Sequence, residues 1–221
     1  TSSTVSLHQH SSFSATCTDS SLEVPLIEWT ISKEGSIIHS FQNKWISVKP
    51  SDFGFSHGDV MSMNATCFDF HGETSHWNDN PTVDGRPPVW NGKFSIDGNE
   101  GEVIENGSLT PILAPAGSVI SFEVNASDDS SLPVLLELYT NVSEGWRQTG
   151  VNQQTFEFTA NQGSGINGAD LGIEQRHSES KPSEISIALV VTDDAGNTVS
   201  AEWTLRVLDA NPPTVIPRLF S

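Results

Sequence analysis

The sequence has 221 residues and carries 28 Asp and Glu against 10 Lys and Arg, a formal net charge of -18. A surface this acidic repels phosphate backbones and anionic headgroups, which argues against nucleic-acid and membrane-surface binding, and no run of about 18 apolar residues is present to insert in a bilayer. The length suits one large domain or two of roughly 100 residues, and 17 Gly with 12 Pro punctuating short alternating runs predict an all-β chain.

Alternation begins at Val5 and Leu7 and sharpens at Phe13, Ala15 and Cys17. After the turn residues Asp19, Ser20 and Ser21 comes a strand through Ile27, Trp29 and Ile31. Weaker runs at Ile37-Ile38, Phe41, Trp45-Ile46 and Val48 suit middle strands. Met61, Met63, Ala65 and Cys67 then alternate up to the turn Asp69-Phe70-His71-Gly72, and Trp77 follows. Cys17 and Cys67 lie 50 positions apart with Trp29 between them, the order in which immunoglobulin-type sandwiches join their sheets. Two readings stand: a disulfide, favoured by the inward parity of both cysteines, or two buried thiols in a reducing compartment.

Asn78-Asp79-Asn80-Pro81 opens a stretch whose Pro and Gly density predicts a linker over 79–88. Pro87-Pro88 recurs as Pro212-Pro213, a period of 125 residues. The predicted division is a first domain at 1–78, the linker at 79–88, a second domain at 89–211, and the start of a following repeat or linker at 212–221. On this reading the chain is a fragment of a longer tandem protein.

The second domain opens with Val89, Trp90 and Phe94, passes the acidic loop Asp97-Gly98-Asn99-Glu100, and alternates clearly at Phe122, Val124 and Ala126. Ser127-Asp128-Asp129-Ser130 then echoes Thr18-Asp19-Ser20-Ser21, so Ala126 stands where the first domain has Cys17 and Leu138 where it has Trp29. The closing hairpin runs Ile185, Ile187, Leu189, Val191, then the turn Asp193-Asp194-Ala195-Gly196-Asn197, then Val199, Ala201, Trp203, Leu205 and Val207. Laid on the first domain, it sets Val191 on Cys67 and Asp193 on Asp69. Both cysteines vanish together, as a bonded pair would. A polar stretch near 160–183 lengthens the second domain; such loops are functional or merely mobile.

The phrase Val191-Thr192-Asp193-Asp194-Ala195-Gly196-Asn197 and the exit Leu208-Asp209-Ala210-Asn211-Pro212-Pro213 resemble the tandem immunoglobulin-like and PKD- or cadherin-like β-sandwich repeats of microbial surface and secreted proteins. The resemblance implies two tandem immunoglobulin-like antiparallel β-sandwich domains acting as stalk, spacer or adhesin. The implied setting is extracellular or the cell surface, with adjacent repeats and a protein or glycan ligand as partners. It also implies calcium at domain junctions. Asp79, Asn80, Asp97, Asn99, Asp128, Asp209 and Asn211 are the candidate calcium ligands, against the alternative that Asp and Asn serve turns by bonding nearby backbone. The turn from Asp193 to Asn197 carries the same two readings, and the turn is preferred.

No nucleophile elbow and no His-Glu-x-x-His pair is present, and the expectation is a non-enzymatic chain. The rival function is an accessory carbohydrate-binding module with Trp90, Trp146 and Phe156 as its sugar platform, against their use as core. His8 and His10 share one strand face but lack a third zinc ligand; His71 and His76 are read as exposed in the same way. Asn64, Asn106, Asn125 and Asn141 begin N-glycosylation triplets, which matter only where the source glycosylates.

Overall fold

The computed structural model describes residues 3–18, 25–104, 111–130, 132–140, 146–160 and 183–208. These are nearly all β, with one short 3-10 turn at Pro50–Phe53 and no helix long and apolar enough to cross a membrane. The chain divides into two compact units. The first comprises Thr1–Pro88 with the loops Asp128–Pro133 and Thr192–Thr198; the second holds Val89–Ser127, Val134–Val191 and Val199–Ser221.

In the first unit the strands are β1 (Thr4–Ser6), β2 (Ser11–Ser14), β3 (Leu26–Lys33), β4 (Ser36–Gln42), β5 (Trp45–Val48), β6 (Ser62–Phe68), β7 (Thr74–Asp79) and β8 (Thr82–Asp84). They form a four-stranded sheet β4-β3-β6-β7 and the pairs β2-β5 and β1-β8. Alternation decides which side of each strand is dry. Ile27, Trp29 and Ile31 of β3 point into one core with Met63 and Ala65 of β6, Ile46 and Val48 of β5, and Val5 and Val83. Trp29 is 1% exposed, yet its indole N–H donates to the Asn43 carbonyl at 3.0 Å, so its polar end is satisfied. Cys17 and Cys67 are joined by a disulfide with their Cα atoms 6.1 Å apart.

The stretch 79–88, expected as a linker, contains β8. Val83 is fully buried and the strand pairs in parallel with β1, Val5 opposite Val83 and Ser6 opposite Asp84. Pro81, Pro87 and Pro88 flank the strand and leave its ladder N–H groups intact. The partner strand lies nearly eighty residues upstream, and no local pattern announces it.

The second unit contains β9 (Val89–Ile96), β10 (Asn99–Ile104), β11 (Ile112–Pro115), β12 (Val119–Ser127), β13 (Leu135–Thr140), β14 (Trp146–Val151), β15 (Gln153–Thr159), β16 (Ser183–Thr192) and β17 (Thr198–Leu208). One sheet runs β10-β9-β12-β15 and the other β11-β17-β16-β13-β14. A single core draws on both: Phe94, Ile120, Phe122, Val124 and Phe156 from the first, Leu136, Leu138, Ile185, Ile187, Leu189, Trp203 and Leu205 from the second. Phe94 and Phe122 stack at 4.1 Å, and Trp203 meets both edge-on at 5.8 and 5.3 Å.

Candidate metal centre

Three segments of the first unit converge on one acidic cluster: the end of β8 with Asp84, the loop Asp128–Pro133, and the turn Thr192–Thr198. Asp84, Asp128 and Asp193 each present a carboxylate oxygen, and these atoms lie within 4.8 Å of one another. Asp84 is 4% exposed and Asp193 6%. Three carboxylates this close repel one another strongly wherever water is excluded.

Each carboxylate is held by its own local structure. In the turn, Gly196 N–H donates to the Asp193 carbonyl, Asp193 N–H to the Asn197 carbonyl, and Asn197 N–H to Asp193 Oδ1 at 2.8 Å. Gly196 sits at φ 92, a conformation that favours glycine. The buried Asn197 also donates through Nδ2 to Asp193 Oδ2 at 3.0 Å and to the Arg86 carbonyl at 3.2 Å, and its Oδ1 accepts from Ser6 Oγ at 2.6 Å. Asp128 Oδ2 accepts the Ser130 N–H at 2.9 Å, an Asx-type turn. Asp84 Oδ1 accepts the Arg86 N–H at 2.9 Å and faces His57 Nδ1 at 3.1 Å. Asp84 Oδ2 is buried and has no hydrogen-bond partner. Burial pushes the Asp193 carboxyl above its ordinary range, the bonds from Asn197 oppose that, and the charges of Asp84 and Asp128 add to the rise.

Two neighbouring carboxylates are already neutralised or tied. Asp129 pairs with the Arg86 guanidinium at 3.1 Å and faces His57 Nε2 at 3.4 Å. Asp194 accepts from Thr4 Oγ1, and from Ser130 Oγ at 2.8 Å. His57, Asp84 and Asp129 form a second cluster, but its members are partnered with one another and with Arg86.

Of the described calcium candidates read from sequence, only Asp128 lies in the three-carboxylate cluster. Asp79 ends β7 and accepts from Ser3 Oγ, 76 positions away, at 3.0 Å and from the adjacent Asn80 N–H at 2.9 Å. Asp97 accepts the Val119 N–H and Ser118 Oγ, both at 2.8 Å; these two donors hold its carboxyl below the usual range. Asn99 begins β10 opposite Ile96. Asp209 and Asn211 lie outside the described residues. Sequence reasoning missed Asp84 and set Asp193 aside as a turn. The signal for Asp84 was in the repeat itself: it stands three positions before Pro87, as Asp209 stands before Pro212.

Two of the three aromatic side chains expected to form a platform, Trp90 and Phe156, are described. Phe156 is fully buried opposite Phe122, where the alternation of β15 turns it into the core. Trp90 is half-buried edge-on against Trp203 at 5.6 Å and lines a depression of about 330 Å³ with Asn91 and Asn125. The Trp146 side chain lies outside the described residues.

No family model and no curated protein matches the sequence. Among the solved structures that bear a distant likeness are two adhesin structures. One comes from work on host cell surface retention of a 1.5-MDa bacterial ice-binding adhesin: TM-score 0.33, 12% identity, 94% of this chain and 61% of that one. The other is a Ca2+-stabilized adhesin that helps an Antarctic bacterium reach out and bind ice: TM-score 0.30, 18% identity, 90% of this chain and 43% of that one. This chain thus spans less than two thirds of the length of either.

Proposed function

We propose that this chain is a non-enzymatic extracellular spacer or adhesion segment of a larger surface protein, its two units being immunoglobulin-like sandwiches in tandem. One observation carries the reading: two β units in succession each bury a core of their own, and the first is cross-linked by a disulfide. Disulfides persist where the surroundings are oxidising, outside the cytosol. The net charge of -18 keeps such a segment soluble and discourages association with anionic polymers. Strands paired along ladders stiffen a spacer, and the described strands of both units lie in hydrogen-bonded sheets, which supports this reading.

The test is surface labelling of the source cells. An antibody against the chain is expected to stain intact, unpermeabilised cells, and external protease is expected to remove that staining. Staining that appears only after lysis sinks the reading.

A further inference from the structure

We propose that Asp84, Asp128 and Asp193 bind one calcium ion within the first unit. The inference rests on the extracellular reading, since millimolar free calcium is met outside cells. Clustered acids alone would not carry it, because exposed carboxylates gather on acidic proteins without any ligand.

The second observation is Asp84 Oδ2. A buried carboxylate oxygen with no donor is costly, by more than an unmade neutral hydrogen bond, and the side chain that carries it is grouped with two further carboxylates. No Lys or Arg among the described residues relieves it: the Arg86 guanidinium is engaged by Asp129, and His57 reaches only the other oxygen, Oδ1. Asn197 increases the crowding by holding Asp193 beside the Asp84 and Arg86 carbonyls. A divalent cation removes both the orphaned acceptor and the repulsion.

The three donors are all carboxylate oxygens, which selects a hard ion over zinc. Oxygens within 4.8 Å of one another fit around an ion whose bonds are about 2.4 Å long. Magnesium keeps most of its water and demands tighter geometry, so calcium is favoured. Three side chains are fewer than the six to eight oxygens calcium takes, so water completes the shell and the affinity belongs with extracellular modules, roughly 10⁻⁴–10⁻³ M.

The test uses the full chain, stripped with chelator and then heated with and without about 10 mM calcium, well above that dissociation constant. Wild type is expected to gain several degrees in Tm, and calorimetric titration is expected to report one ion per chain. Asp128→Asn keeps the Ser130 hydrogen bond, removes one of three like charges and so folds, but is expected to lose the calcium shift. Asp79→Asn, in the phrase that sequence alone favours, is expected to keep it. The proposal is overturned by a wild type that neither shifts nor takes up calcium, by an Asp128→Asn protein that still shifts, or by an Asp79→Asn protein that does not. Failure here leaves the surface-labelling result untouched, so the two readings fall separately.

Discussion

Asp193 and Asp59 show the same side chain driven in opposite directions by its surroundings. Asp59 accepts from the Lys33 ammonium and, at 2.7 Å, from the Ser56 N–H, and these donors hold its carboxyl below the usual range. A depressed carboxyl contributes stability above its unfolded pKa and loses it as pH falls through the folded one. Asp59→Asn is therefore expected to melt below wild type at pH near 7, with the deficit closing on acidification below about 4. Equal deficits at both pH values would refute the pairing. Asp193 is raised, chiefly by burial, so the sign reverses: its contribution is present below the unfolded value and is lost as pH rises through the raised one. In chelator, Asp128→Asn should therefore gain on wild type as pH climbs from about 4 toward 7, because the charge it removes opposes Asp193 only once Asp193 is itself ionised. Thermal melts at the two ends of that range decide it; a constant offset would show that the three charges do not interact.

Strands β9 and β12 depend on a missing side chain. In the antiparallel register Gly92 lies opposite Val124, and a Cβ there would come within 2.4 Å of Cε2 and 2.7 Å of Cζ of Phe122. That ring is fully buried and already stacked on Phe94, so it has no free direction in which to yield. Gly92→Ala should cost about 1–3 kcal/mol by overpacking. Chemical denaturation measures it, and an unchanged midpoint would mean the core there is looser than its contacts indicate. The alternation that marks Phe122, Val124, Leu189 and Trp203 as core was plain in the sequence because period two is a local property of a strand. Gly92 was not legible, since a glycine in a strand acquires its reason only from the ring across the ladder. The strand β8 was hidden for a related cause: three residues between prolines become a strand only when β1 supplies the ladder.

Across the molecule, one unit is covalently stapled and the other is not. The bond between Cys17 and Cys67 closes a loop with a sequence separation of 50. On the chain-entropy model it contributes about 4 kcal/mol, while the second unit holds no cysteine and relies on its packed core of aliphatic and aromatic side chains. Scanning calorimetry should then show that reductant shifts the unfolding of the first unit and leaves that of the second in place. Thiol titration of the denatured, unreduced chain should find no free cysteine. Two thiols per chain, or two transitions that move together, would count against it.

Even the carboxylate cluster divides between what is local and what is not. The turns at Asp69 and Asp193 carry one hydrogen-bond pattern: Gly72 N–H to the Asp69 carbonyl, Asp69 N–H to the Glu73 carbonyl and Glu73 N–H to Asp69 Oδ1 repeat what Gly196 and Asn197 do for Asp193. Sequence determined that much, because a turn is settled by five consecutive residues and both stretches supply Asp first and Gly fourth. It also determined the alternating faces and the spacing of the cysteines. Only the tertiary structure decided that Asp193 is buried where Asp69 is half-exposed, and that it meets Asp128, 65 residues earlier, and Asp84, a further 44 before that. Long-range packing sets which charges share a low-dielectric site, and the periodicity of a strand carries no information about the neighbours it will meet there.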